Sequence, residues 1–88
     1  MRTITLELAN IETVRALHIY LAYMLDFPAY YGKNLDALYD CLTDVSEPTR
    51  IILHTKGVRG EMVAYMPRLM QVFRDCAQEN SRLTIIHD

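Results

Sequence analysis

Apolar positions in this chain recur first at every second residue and then at every third or fourth, and each change of period marks a new element. From Arg2 to Leu8, Ile4, Leu6 and Leu8 alternate with Thr3, Thr5 and Glu7, the pattern of a strand with one buried face. Val14, Leu17, Leu21, Met24 and Leu25 then recur at helical spacing and predict an amphipathic helix. Asn10 is its expected N-cap, with Glu12 in the first turn, where negative charge is favoured. Asp26-Phe27-Pro28 ends that helix, because the residue before a proline avoids helical geometry. Ala29 to Lys33 reads as a connector in which Gly32 is free to take positive φ. Asn34 is placed to cap a second helix from about Leu35 to Thr43, with Leu38, Cys41 and Leu42 as its buried stripe.

Ser46, Glu47 and Pro48 break the pattern, and the segment from Arg50 to Thr55 follows. Its consecutive Ile51, Ile52 and Leu53 predict a strand covered on both faces. Gly57 and Gly60 loosen the next loop. Met62, Tyr65, Met66, Leu69, Phe73 and Cys76 repeat at intervals of three and four, predicting a long helix to about Glu79. Pro67 inside it is expected either to kink the helix or to mark the first turn of a shorter one. Arg82 to His87, with Leu83, Ile85 and Ile86, closes the chain as a third strand.

The order is β-α-α-β-α-β. Its last three elements form a βαβ unit, which calls for parallel strands and a right-handed crossover. The simplest α/β solution is a three-stranded parallel sheet with helices packed on it, in a single domain spanning residues 1–88.

Charge sharpens this picture. The net charge is −2, which argues against direct nucleic-acid binding, since phosphate contact needs a basic surface. The imbalance is local. From Tyr30 to Glu47 stand four acids (Asp36, Asp40, Asp44, Glu47) and one base, Lys33, while Thr49 to Arg59 holds three bases and no acid. No run approaches the ~20 apolar residues of a membrane span. Met1 leads straight into the alternating segment, with no apolar stretch behind a basic start, so a cytoplasmic protein with reduced Cys41 and Cys76 is expected. Each cysteine falls at an apolar helical position and reads as a small buried hydrophobe.

Asp36 and Asp40 stand four residues apart, so they share one helical face, and Asp44 follows at the same interval and extends the row if the helix runs that far. Like charges at that spacing cost a helix roughly 0.2–0.5 kcal/mol per pair. A catalytic carboxylate pair flanks a cleft from different elements, whereas these acids face outward together, as on a solvated face or a surface for a cationic partner. Tyr30, Tyr31 and Tyr39 surround them, with Tyr31 expected to be the more buried and Tyr30 and Tyr39 the more exposed. His54 and His87 end parallel strands at the same sheet edge, where open α/β folds bind ligands, but no nucleophile or carboxylate has a clear place beside them. No phosphate-binding glycine loop is present and no cofactor or metal is called for. Met62, Met66 and Met70 read as gap-fillers in the core.

Residues 27 to 43 read FPAYYGKNLDALYDCLT, and the pattern YYGxNLDALxDCLT within them closely resembles the central motif of the barstar family of intracellular ribonuclease inhibitors. A weaker match, LMQVFRDC, is similar to that family's long helix. Length and element order agree across essentially the whole chain. The resemblance implies a three-stranded parallel sheet with about three to four helices, and a partner surface formed by Tyr30, Asn34, Leu35, Asp36, Tyr39, Asp40 and Thr43. It implies that Asp40 enters the nuclease active site in place of a substrate phosphate, with Asp36 in support. Asp75 falls where the family has a glutamate that also contacts the enzyme. Tyr39 replaces a tryptophan and Asp44 a glycine, departures that bear on which partner is bound more than on how; Asp44 belongs to the same row and is taken with the surface.

The leading expectation is therefore a non-enzymatic inhibitor, monomeric when free, that binds a barnase-like extracellular ribonuclease one to one. A carboxylate on a rigid helix satisfies phosphate-binding cations through charge-assisted hydrogen bonds. The alternative is an immunity or regulatory module for a toxin that is not a ribonuclease. A third reading is a small enzyme or ligand-binding protein using His54 and His87.

Overall fold

The structure, a computed structural model, describes all residues from Met1 to Asp88. The elements are β1 (Arg2–Glu7), α1 (Val14–Leu25), α2 (Leu35–Thr43), β2 (Thr49–His54), α3 (Met62–Glu79) and β3 (Leu83–His87). The strands lie in the order β1-β2-β3, with both neighbouring pairs parallel. This is the expected α/β architecture, with three helices. Strand bounds differ from the sequence expectation by a residue at most at either end.

Register sets Ile4, Ile51 and Ile85 side by side, and Leu6 beside Leu53. These residues point into a cluster of 17 buried residues to which every element contributes, including Leu17 and Leu21 of α1, Leu38 and Leu42 of α2, and Leu69 and Phe73 of α3. The opposite face carries Thr3, Thr5 and Glu7, then Arg50, Ile52 and His54, then Thr84 and Ile86. None of these is fully buried. The expectation that β2 is covered on both faces is thus corrected. Parallel strands joined in order by right-handed crossovers place all intervening helices on one side. Ile52, between Thr5 and Ile86 on this face, is only partly covered, so a run of three apolar residues did not mean two covered faces.

Helix α1 begins later than expected. Thr13, extended at φ −123 and ψ 151, is the N-cap, and its Oγ1 accepts from the Ala16 N–H at 3.1 Å. Asn10 instead lies in a turn held by the Ile11 N–H donating to the Leu8 carbonyl. Glu12 sits outside the helix and pairs with Arg59 at 3.4 Å. A carboxylate from elsewhere, Glu61 at the start of α3, accepts from the Val14 N–H and meets a donor of the first turn that sequence left open. The C-terminus agrees with expectation: Asp26 takes the left-handed conformation at φ 58, its N–H bonds back to the Ala22 carbonyl, and Pro28 follows.

Helix α3 runs unbroken through Pro67. Proline removes the bond to the carbonyl four residues back, that of Val63. Val63 and Pro67 are both exposed, so the lost bond falls on the solvent side, where water replaces it. No helix is long and apolar enough to cross a membrane.

Thr13→Ala is expected to cost about 1 kcal/mol of stability, whereas Asn10→Ala changes it by less than about 0.5 kcal/mol. Urea denaturation midpoints of the two variants distinguish these caps.

Candidate functional site

Helix α2 is fixed at both ends by asparagines. Asn34, extended at φ −145, accepts from the Ala37 N–H through Oδ1 at 2.7 Å, and its Nδ2 donates to the Gly32 carbonyl. At the other end Asn80, buried just past α3, donates through Nδ2 to the carbonyls of Leu42, Thr43 and Val45 at 3.1, 3.4 and 2.9 Å. They stand where α2 stops and helical pairing runs out, the Leu42 carbonyl also accepting from the Val45 N–H at 3.3 Å. Between the ends, Leu38 and Leu42 are fully buried against the core. Burying two leucines stabilises by roughly 1.5–3 kcal/mol each, several times the roughly 0.2–0.5 kcal/mol lost to each like-charge pair. Packing therefore wins, and the acidic row is tolerated.

Asp36, Asp40 and Asp44 are exposed and line the outer side of α2. The chain's ion pairs are Arg2–Glu47, His54–Glu7, His54–Asp88 and Arg59–Glu12. None engages the row, and no hydrogen bond ends on its carboxylates. Asp40 and Asp44 line a cleft of about 360 Å³ together with Tyr30, Asp26, Glu47 and Arg2. Asp26 and Glu47 are acids of this cleft that sequence reasoning did not assign to the surface, since only the fold brings the end of α1 and the entry to β2 beside α2.

The connector before α2 separates its two adjacent tyrosines as expected. Tyr30 is 86% exposed, while Tyr31 is 6% exposed and packs on Phe27, ring centroids 4.8 Å apart. The expected positive φ at Gly32 is found instead at Lys33, φ 55. Gly32 meets a different need: a Cβ there would stand 3.3 Å from the Ala37 Cβ, so the close approach of connector and helix favours a residue without one.

Tyr39 is more exposed than Tyr31, as expected, but half-buried. Its hydroxyl donates to Glu79 on α3, and that bond pushes its pKa up to about 12, with desolvation and the nearby acids adding to the effect. Glu79 thus joins the surface. The sequence carried a signal for it, because Glu79 follows Asp75 at the four-residue interval that marked Asp36 and Asp40. Asp75 is half-buried and accepts from Gln71 Nε2 at 2.7 Å. Leu35 is half-buried in the first turn of α2. Thr43 turns its hydroxyl back to the Tyr39 and Asp40 carbonyls at 2.9 and 3.1 Å. Of the expected residues, Tyr30, Asp36, Asp40 and Asp44 present free polar groups outward; Asn34 and Thr43 spend theirs on the helix itself.

The histidines at the sheet edge are engaged separately. His54 Nδ1 meets Asp88 Oδ2 at 3.0 Å, and His87 Nε2 meets Thr55 Oγ1 at 2.8 Å. The Thr55 N–H donates to Asp88 and holds its carboxyl below the usual range, helped by His54. No group of three or more His, Cys, Asp or Glu side chains is placed to hold a metal ion.

Residues 1–86 match the family described as Barstar (barnase inhibitor). The chain belongs to the barstar family. It is also 36% identical over 81 residues to a Bacillus subtilis (strain 168) protein named "Putative ribonuclease inhibitor YrdF", an alignment that covers 90% of this chain and 89% of that protein. Within this barstar-family chain, the acid row and its two asparagine anchors lie in the same matched span as the core that carries them. By that description, proteins of this family act as inhibitors rather than enzymes.

Two tests probe how the surface is held. Asn80→Ala removes the side-chain donor that the Thr43 and Val45 carbonyls share with that of Leu42, which keeps the Val45 N–H, and is expected to cost about 1–3 kcal/mol, read as a lowered urea midpoint. Cys41 and Cys76 are free thiols; burial raises the Cys76 pKa to about 12 and that of Cys41 upward, with Asp40 and Asp44 adding to it. At about pH 8 a thiol-specific reagent is expected to leave native Cys76 unmodified and to label Cys41 more slowly than in the urea-unfolded chain.

Proposed function

We propose that this chain inhibits a ribonuclease by seating the outer face of α2 in the enzyme's active site, with Asp40 replacing a substrate phosphate. One observation carries the reading: Asp36, Asp40 and Asp44 are exposed on a rigid, doubly anchored helix, and none is paired with a cation of its own chain. A ribonuclease holds phosphate with cationic side chains, and a fixed carboxylate meets the same donors through charge-assisted hydrogen bonds. The family description and the name of the Bacillus subtilis relative support the same reading.

Asp36 supports Asp40 from the preceding turn. Asp44, where the family motif has glycine, extends the charge toward the cleft. Tyr30 offers a large, rigid contact with a polar tip beside them, and Tyr39, Glu79 and Asp75 form the α3 side of the surface. Asn34, Leu35 and Thr43 belong to it chiefly as the groups that set the helix. The partner is a basic, barnase-like ribonuclease bound one to one by a monomeric inhibitor within the cytoplasm of the producing cell. Negative charge on this face also speeds encounter with such a partner at low salt.

Mixing the protein with barnase and with other basic ribonucleases, then following RNA cleavage, tests the proposal. Asp40→Ala is expected to weaken inhibition at least about thirtyfold, the ~2 kcal/mol that marks a hot-spot residue. The same change is expected to leave stability equal or raised by up to about 1 kcal/mol, because repulsion with Asp36 and with Asp44 is relieved. Full inhibition by Asp40→Ala would defeat the assignment of this residue, and a stable complex that leaves RNA cleavage untouched would point to a toxin of another kind.

A further inference from the structure

A fully buried histidine stands behind the connector that presents Tyr30. His18, on α1, is 0% exposed. Its Nδ1 lies 2.6 Å from the Tyr31 hydroxyl and its Nε2 lies 2.9 Å from the Tyr65 hydroxyl. One imidazole therefore ties α1, the connector and α3 together. Resting on the reading of that connector and α2 as the inhibitory surface, we propose that His18 is its positioning residue. By bridging Tyr31 and Tyr65 it holds residues 28–34 in the binding conformation, and it releases them in acid when the ring takes up a second proton.

The hydrogen-bond arithmetic admits one satisfied arrangement. A neutral imidazole has one N–H and one bare nitrogen. The Tyr31 hydroxyl is buried and has no other partner, so it donates to Nδ1. Nε2–H then donates to the Tyr65 oxygen, and the half-buried Tyr65 turns its own O–H toward solvent. The reverse tautomer strands the Tyr31 O–H in the core. A second proton on the ring does the same, because it occupies Nδ1 and removes the acceptor on which Tyr31 depends, while also placing a cation in the core.

Little around the ring favours that cation. From the connector it faces Tyr31, and from α3 it faces Tyr65, whose ring lies 5.5 Å from the Arg68 guanidinium carbon. From α2, the Cys41 thiol acts electrostatically on Tyr31. The inward-facing strand residues Ile4, Leu6, Ile51 and Leu53 are apolar, and no carboxylate pairs with the ring. Burial accordingly holds the His18 pKa below its ordinary 6.5. A depressed folded value means that the native arrangement has its full stability above that ordinary value and loses it as pH falls through the lowered one.

The consequence reaches the surface through the backbone. Tyr31 is the anchor of the connector: its N–H closes a turn on the Pro28 carbonyl at 3.0 Å, and its ring packs on Phe27. Exposed Tyr30 precedes it, and Asn34, the α2 cap, lies three residues on. Freeing the Tyr31 side chain loosens both ends of this short span. Partner affinity then scales with the fraction of protein whose connector is in place.

The test uses His18→Gln, whose side-chain amide accepts from Tyr31 and donates to Tyr65 but does not titrate. In the free wild-type protein, NMR signals of the Tyr31, Gly32 and Lys33 amides are expected to titrate with the His18 ring, at a midpoint below 6.5, while those of Ile51 and Leu53 stay fixed. In His18→Gln the connector signals are expected not to move. Tyr31→Phe, which leaves the ring titratable but removes its link to the connector, is expected to abolish the connector response as well. With barnase as probe, wild-type affinity is expected to fall about tenfold more than that of His18→Gln between about pH 7.5 and 5.5. A connector that titrates alike in wild type and His18→Gln, or equal losses of affinity, overturns the proposal. The connector signals are read without a partner, so failure of the inhibitory reading shows separately, as wild-type protein that leaves barnase active at about pH 7.5.

Discussion

Parallel strands in sequential order must be joined by crossovers, and crossovers of one hand carry every intervening helix to the same face of the sheet. The arrangement of this protein depends on that constraint. Ile4, Leu6, Ile51 and Leu53 are buried beneath the helices, while Arg50, Thr84 and Ile86 on the other face meet solvent. With three helices sharing one face, α2 packs against α3, which in turn lies against β3. The side of α2 turned away from α3 carries the aspartates, with Asp40 and Asp44 lining the cleft beside the end of α1.

An acidic face is stable there because the helix beneath it is held by groups that are not cations. Leu38 and Leu42 supply buried area, Asn34 meets a donor at one end, and Asn80 meets three acceptors at the other. Had lysine or arginine side chains supplied those contacts, the carboxylates would be partly neutralised and less available. Anchoring by amides and apolar contacts leaves the charges open to a cationic partner and fixes where they stand. The rigid positioning lowers the ordering cost of association, and the unpaired charge supplies the attraction.

The same economy appears at the connector, where a buried imidazole does with two phenols what Asn80 does with three carbonyls. Polar side chains in this core are few, and two of them bridge elements distant in the chain: His18 to Tyr65 and Asn80 to Val45, while at the surface Glu61 does the same for Val14. Such links fix relative positions of elements that apolar packing alone leaves free to slide, because hydrogen bonds are directional and hydrophobic burial is not.

Helix α2, its Asn34 cap and the exposed aspartates were legible in the sequence, since all three follow from spacing and from the chemistry of residues close in the chain. Parallel topology was legible too, because β-α-β order leaves few alternatives. What failed was local competition and distance. Asn10 and Thr13 are both good caps, and a turn at Ile11 together with the reach of Glu61 decided between them. Gly32 and Lys33 both precede Asn34, and the crowding of Gly32 against Ala37 assigned each its task. The covering of one sheet face, the pinning of Tyr39 by Glu79, the cleft shared by Asp26, Asp40 and Glu47, and the burial of His18 between two tyrosines depend on contacts between separate elements. Sequence alone thus determined the elements and the charge on one helix, because periodicity and capping act within a few residues. Tertiary structure decided which polar groups are free and which are bound, because that depends on what the fold brings within hydrogen-bond reach.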